Sequence, residues 1–224
     1  MSPSTGRRPA LQLFGHPFSS YTQKVLIALW ADGREFDYRM VEDPANMKEL
    51  RKHSPYGLFP LLIDNGRPVL ESSTIIEHLH AHHRGPNDWI PDGETGRRVR
   101  FLDRFFDLYV MSNLQKPVSD KLRPEGKNDP FGVQKARGDL HTAYDWLEAN
   151  LGDGPWAIGD QFTIADCAAA PSLFYADWVE EIGDKRPRLK AYRARLLQHP
   201  AVARGVDEGR PFRHYFPLGA PDRD

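Results

Sequence analysis

Residues 54–83 read SPYGLFPLLIDNGRPVLESSTIIEHLHAHH, and the order of signals in this stretch decides the fold. Pro60 opens an apolar run over residues 61–64. Asn65-Gly66 follows, the dipeptide best suited to a two-residue hairpin turn because both positions tolerate positive φ. Residues 67–71 then read as the returning strand, and Pro68, which has no N–H to give a ladder, places that strand at the sheet edge. From Ser72 the apolar residues recur at helical spacing to His83. The stretch is therefore hairpin then helix, with a proline at its entrance.

Working toward the N-terminus, residues 44–52 form a short helix with Pro44 in its first turn, and residues 35–41 alternate as a half-buried strand. A helix begins at Ser20, with Tyr21, Val25, Leu26, Ala28 and Leu29 on its apolar side, and ends at Asp32-Gly33. Residues 10–15 form an apolar strand that stops at Gly15-His16-Pro17. The order is β-α-β-α-β-β-α, with a parallel first unit and an antiparallel hairpin at its end. Toward the C-terminus, residues 84–93 are rich in Gly, Pro, Asn and Asp and read as a linker anchored by Trp89 and Ile90. Beyond it strand signals nearly vanish. Val99, Leu102, Phe105, Phe106, Tyr109 and Val110 mark one long amphipathic helix, and further helices are expected over 133–151, 163–179 and 188–198. From Pro211 onward no regular structure is expected. The chain divides into two domains, residues 8–84 and residues 94–224.

The 224 residues suffice for two modest cores. Hydrophobic residues make up 40% and charged residues 27%, the balance of an ordinary soluble protein. A net charge of -1 gives no field to favour nucleic acid or an anionic membrane. No apolar run reaches membrane-spanning length, and residues 1–8 are too polar for a signal peptide. A single cysteine, Cys167, excludes an intrachain disulfide, and the expected compartment is the cytoplasm.

Three segments carry candidate chemistry. In Pro17-Phe18-Ser19-Ser20-Tyr21-Thr22, hydroxyls stand at a helix start, where unpaired N–H groups and the dipole favour an anion. Ser19 or Ser20 there serves either as a plain N-cap or as a donor to a thiolate. In Gly57-Leu58-Phe59-Pro60, the proline makes sense where the preceding backbone turns outward to a ligand. In Glu71-Ser72-Ser73-Thr74, a hydroxyl-rich helix start suits a carboxylate and the acid suits an ammonium, although Thr74 with Glu77 also fits a capping box.

In this order and on this pattern the segments resemble the glutathione transferase superfamily, in its serine-type, theta- and zeta-like classes. The resemblance extends to Gly159-Asp160-Gln161-Phe162-Thr163-Ile164-Ala165-Asp166, which is similar to the family's capping box and hydrophobic staple. It implies an α/β thioredoxin-like N-terminal domain that binds glutathione and an all-α C-terminal domain with an electrophile pocket. Ser19, with Ser20 as the fallback, would be the catalytic hydroxyl beside the glutathione sulfur. Phe59, ahead of a cis-Pro60, would pair with the cysteinyl backbone, and Glu71 and Ser72 would hold the γ-glutamyl end. Tyr109, Ser112, Asn113 and Lys116 would line the electrophile pocket. Where many members carry a lysine, this chain has Leu58, with His53, Lys52 or backbone N–H groups as substitutes. The resemblance also implies a homodimer and a role in conjugating glutathione to a small electrophile. The alternatives are a maleylacetoacetate-isomerase-like reaction, against which Tyr21 stands where a zeta-type motif has cysteine, or a non-catalytic interaction protein.

No metal is expected. His78, His80, His82 and His83 crowd one helix end, where histidine is favoured by the dipole, and no carboxylate bears a motif-like relation to them. Cys167 lies in a run of small residues and reads as packing.

Overall fold

The computed structural model describes residues 11–224. Ala10, the polar leader and the first residues of the expected N-terminal domain lie outside the described residues. The N-terminal half is built from β1 (Leu11–Gly15), α1 (Ser20–Ala31), β2 (Asp37–Met40), α2 (Pro44–His53), β3 (Leu61–Asp64), β4 (Arg67–Leu70) and α3 (Ser72–His82). The sheet order is β2-β1-β3-β4. β1 and β2 run parallel, while β3 pairs antiparallel with both β1 and β4. Pro68 faces Ile63 across the outermost pair, so its missing N–H costs the sheet no internal bond.

Side-chain alternation splits the sheet's two faces. Leu11, Leu13, Leu62 and Val69 point to the main core with α1 and α3, whereas Phe14 and Leu61 join Val41 and Leu50 in a smaller cluster. Gly15 ends β1 at a place where a Cβ would lie 2.4 Å from the Thr22 side chain, so the strand can abut the first turn of α1 only with glycine there.

The C-terminal half is helical: α4 (Gly93–Phe105), a π-helical segment (Phe106–Met111), α5 (Ser112–Lys121), α6 (Pro130–Asn150), α7 (Ile164–Val179), α8 (Pro187–Gln198) and α9 (Pro200–Gly209), then a 3-10 segment, Arg210–Tyr215. Almost every side chain of α7 is buried. Its run of small residues, Ala165 to Ala170, lets α1 and α4 pack closely against it. Trp89 and Ile90 are buried in the same core, so the connection between the two halves is anchored as its composition suggests.

At the head of α7 the capping box forms. Asp166 accepts from Thr163 N at 2.9 Å and Thr163 Oγ1 at 3.0 Å, and also from Ala157 N at 2.8 Å and the Tyr192 hydroxyl at 2.7 Å. Phe162 stacks on His199 with ring centroids 4.0 Å apart.

Three expectations are corrected. The single long helix is broken by the π-helical segment, because i→i+5 bonding interrupts the 3.6-residue period that the apolar residues suggested. The tail from Pro211 is more ordered than its composition implied, since a 3-10 segment runs to Tyr215. The Thr74–Glu77 capping box does not form: α3 begins at Ser72, with Glu71 in the N-cap position, which leaves Thr74 inside the first turn.

Candidate functional site

Two cavities lie side by side where the sheet's β1–α1 and β3 ends meet the helical half. The larger, about 750 Å³, is lined by the loop before β3, the β4–α3 junction and the end of α4 with the π-helical segment. Its walls include Ser54, Tyr56, Leu58, Phe59, Pro60, Glu71, Ser72, Ser73, Thr74, Arg104, Asp107 and Ser112. The smaller, about 290 Å³, is mostly apolar, with Phe18, Leu114, Val118, Leu122, Tyr175, Phe216 and Pro217 around Ser19 and Ser20. Tyr21 and Phe59 line both. The two spaces therefore meet beside the first turn of α1.

Ser19 caps α1: its backbone is extended, and its Oγ accepts from Thr22 N at 3.3 Å. A hydroxyl has one proton and two lone pairs, so capping through the oxygen leaves the proton free to be donated. Capping and thiolate donation are thus compatible in one side chain. The loop ahead of Ser19 is held from behind. Gln23 Nε2 donates to the Pro17 carbonyl at 2.8 Å, and the Tyr175 hydroxyl donates to the Phe18 carbonyl at 3.2 Å. Ser20 is buried at the first helical position. Burial, with Asp107 and Glu71 nearby, pushes the Tyr21 phenol up to about 12, which keeps it a neutral donor at physiological pH.

The Phe59–Pro60 peptide is cis; Phe59 lines both cavities and Pro60 the larger one. Glu71 has φ 68° and ψ 126°, a conformation that costs a non-glycine residue about 1–3 kcal/mol. Its carbonyl starts α3 by accepting from Ile75 N at 2.8 Å, but no side chain caps the helix. The first-turn N–H groups of α3 consequently face the larger cavity with the positive end of the dipole.

Behind that turn lies an ionic cluster that the sequence reading missed. Lys24 Nζ is 2.7 Å from Asp103 Oδ1, 2.7 Å from Asp107 Oδ2 and 2.9 Å from Ser73 Oγ, and the Ser73 hydroxyl donates to Asp103 Oδ2 at 2.8 Å. It ties α1, α3, α4 and the π-helical segment together. Burial raises the Asp107 carboxyl, against the opposing pull of Lys24.

Of the four polar residues expected to line the electrophile pocket, only Ser112 lines either of the two joined cavities, and it lines the larger one. Tyr109 is exposed and lies against Phe105, because the extra residue per turn in the π-helical segment rotates it off the cavity face. Asn113 is buried and donates to the Tyr109 carbonyl at 2.8 Å, while Lys116 reaches Asn113 Oδ1 at 3.1 Å. The residues that do form the apolar cavity come from the β1–α1 loop and α1, from Phe59, from α5 and the residue after it, from α7 and from the tail. The tail is fastened by the Tyr215 hydroxyl, which donates to Glu42 Oε1 at 2.9 Å. Neither side chain expected to substitute for the missing lysine lines the larger cavity. Lys52 and His53 both turn to Glu49, whereas Arg104 brings a cation into the lining.

Comparison with known proteins gives a consistent result over most of the chain. Family models described as glutathione S-transferase, N-terminal domain and C-terminal domain match residues 13–87 and 130–195. Glutathione S-transferase PARB of Nicotiana tabacum is 25% identical over 214 residues, spanning 89% of this chain and 98% of that protein. Human glutathione S-transferase theta-2B is 28% identical, spanning 83% of this chain and 80% of that protein. Among solved structures, a glutathione S-transferase of Methylobacterium radiotolerans in complex with glutathione sulfonate superposes with a TM-score of 0.76 at 25% identity, over 88% of this chain and 94% of that one. A delta-class glutathione transferase of Nilaparvata lugens gives 0.80 at 19% identity, over 93% and 99%.

Proposed function

Because this chain belongs to the glutathione S-transferase superfamily, we propose that it binds glutathione in the larger cavity, activates the thiol with Ser19 and conjugates it to a small electrophile held in the apolar cavity. That it is a glutathione transferase enzyme follows from the relatives; the division of labour among its residues is our reading. The observation that carries it is the meeting of a polar and an apolar cavity at Tyr21 and Phe59, next to Ser19.

In this arrangement the γ-glutamyl carboxylate sits on the open first turn of α3 at Ser72, with Glu71 and Asp107 as partners for the ammonium. The Phe59 backbone, in the wall of the larger cavity, pairs with the cysteinyl segment. Arg104, exposed and lining the larger cavity, supplies a charge for a carboxylate where Leu58 offers none. The sulfur then lies at the seam of the two cavities.

A free thiol ionises near a pKa of about 8.5, and the thiolate is the nucleophile. Bringing that value down by two units requires about 2.7 kcal/mol of preferential stabilisation of the thiolate. A hydrogen bond from Ser19 to a charged acceptor supplies about 1.5–3 kcal/mol, and the α1 N-terminus adds about 0.3–1 kcal/mol. These sums reach the requirement without a second acid. Serine acts here as a donor to sulfur, not as a covalent nucleophile. The carbon–sulfur bond forms as the electrophile's leaving group departs, or as its double bond takes up the electron pair.

Exposed Tyr56, Leu58, Phe101, Leu108 and Tyr109 lie on the loop before β3 and on the outer side of α4 and the π-helical segment. Apolar surface of that kind supports association with a second copy of the chain, and we assign the protein as a cytoplasmic homodimer. No helix among the described residues is long and apolar enough to cross a membrane. Turnover of chlorodinitrobenzene with glutathione tests the reading: Ser19→Ala should lose most activity with the fold intact, and unchanged turnover would remove Ser19 from its role.

A further inference from the structure

At the opposite end of α3 from the cavities, a second constellation forms from residues that the sequence scatters. Asp64 ends β3 at the hairpin turn, His78 stands on α3, and His83 is the residue that closes it. Asp64 Oδ2 is 2.9 Å from His78 Nε2 and 2.7 Å from His83 Nε2. One donor atom from each of the three residues falls within a single 4.8 Å group. We propose that Asp64, His78 and His83 form a divalent transition-metal site, with Zn²⁺ the ion that suits it best.

The chemistry of the donors points there. Two imidazoles and a carboxylate favour borderline ions such as Zn²⁺, Co²⁺ and Ni²⁺ over Mg²⁺ or Ca²⁺, which prefer all-oxygen cages. Zinc–ligand bonds of about 2.0–2.2 Å in a tetrahedron set neighbouring donor atoms about 3.3 Å apart. Opening each of the two Asp64–histidine contacts by about half an ångström brings them to that spacing, and the two imidazole nitrogens already lie within 4.8 Å of one another. Each histidine must then present an unprotonated Nε2 to the ion, so binding displaces the two N–H···O bonds to Asp64 and lets any proton it releases pass to water.

The ligands are held by their surroundings rather than by one another. Asp64 is fixed in register opposite Leu11 and Arg67 in the sheet, and its other oxygen accepts from Asn65 Nδ2 at 2.9 Å. Such outer contacts orient a ligand and sharpen its affinity. The His83 backbone N–H closes the helix on the Leu79 carbonyl at 2.8 Å. Side-chain exposures of 11% for Asp64, 10% for His78 and 23% for His83 leave the cluster shielded but reachable from solvent. The fourth position goes to water or to exposed His82, whose ring centroid is 4.6 Å from that of His78.

At 1.5 Å per residue along α3, the helix ligands stand about 9 Å (His78) and about 16 Å (His83) beyond Ser72. An ion there pins the hairpin to the far end of α3 and acts on stability, not on the sulfur. The assignment stands apart from the reading of the transferase site.

The test uses the full chain after treatment with chelator. Isothermal titration with Zn²⁺, and visible spectra with Co²⁺, should show one tight ion per chain with the intense bands of tetrahedral cobalt. At a free Zn²⁺ level a hundredfold above its Kd, the midpoint of thermal unfolding should rise by about 5–10 °C. Loss of an outer-shell partner costs about 10–100-fold in affinity, so losing a direct ligand in His83→Gln or Asp64→Asn should cost at least about 100-fold and abolish the thermal shift. His80→Gln, which changes a neighbouring histidine facing Asp88, should leave both readouts intact. Absence of stoichiometric binding, or binding unchanged in His83→Gln, would overturn the assignment and leave an ordinary His–Asp cluster. His83 is half-buried at a helix end, so its variant folds and decides the matter even if Asp64→Asn does not.

Discussion

Replacing Lys24 with methionine isolates the ionic cluster behind the site. Methionine keeps most of the volume, so the change removes charge and hydrogen bonds with little loss of packing. The lysine side chain is 1% exposed and bridges Asp103, Asp107 and Ser73 at 2.7–2.9 Å. Without it, two carboxylates remain against each other away from water. Breaking a buried pair from one side costs about 3–5 kcal/mol. For a chain of this size, with about 2–4 °C per kcal/mol, the unfolding midpoint should fall by about 6–20 °C. The pH dependence has a definite sign. Burial already raises the Asp107 carboxyl and Lys24 is the chief influence holding it down, so the variant raises it further. A carboxyl whose native pKa lies above its unfolded value of about 3.9 favours the folded state when protonated, and that advantage is lost as pH rises through the native value. The penalty of Lys24→Met should therefore be full at neutral pH and shrink as the medium is acidified toward the ordinary carboxylate range. Urea unfolding of both proteins across that range measures it. A penalty below about 1 kcal/mol at neutral pH, within reach of ordinary surface substitutions, or one that grows on acidification, would refute the reasoning.

Asp166→Ala leaves Ala157 N, Thr163 N and the Tyr192 hydroxyl without their acceptor, and at about 1–3 kcal/mol each it should destabilise by about 3 kcal/mol or more in urea unfolding. Cys167 is fully buried and burial holds its thiol well above the usual range, so thiol reagents should leave the native protein unmodified and label it only as it unfolds. Arg104→Ala should raise the KM for glutathione about tenfold, the equivalent of about 1.4 kcal/mol for a rim-exposed charge contact, with kcat little changed in steady-state assays.

Local patterns made most of the fold legible in the sequence. Asn65-Gly66 marks a hairpin because of its backbone preferences, Pro68 marks an edge because it lacks a donor, and Thr163 with Asp166 marks a helix start because both orphan N–H groups are met within four residues. What escaped depends on contacts made at long range or on backbone geometry without a composition signal. The π-helical segment carries the same apolar residues as a continuous helix would, so the break is invisible in the sequence, and Tyr109, which the resemblance implies in the electrophile pocket, lines neither of the two joined cavities. Lys24 stands on α1 just after the Pro17–Thr22 segment, but its partners Asp103 and Asp107 are some 80 residues away in the chain. Asp64 likewise meets His78 and His83 only once the hairpin folds onto α3. The positive φ of Glu71 has no residue signature at all, since glutamate is a poor choice for it.

The most direct test of the account is the ionisation of enzyme-bound glutathione, followed by the ultraviolet absorbance of its thiolate in the native protein and in Ser19→Ala. The account predicts a bound thiol that titrates about two units below the free value of about 8.5 in the native protein, and a return most of the way toward that value in the variant with binding retained. A bound thiol with the same low pKa in both proteins would contradict it, because the thiolate would then owe nothing to Ser19.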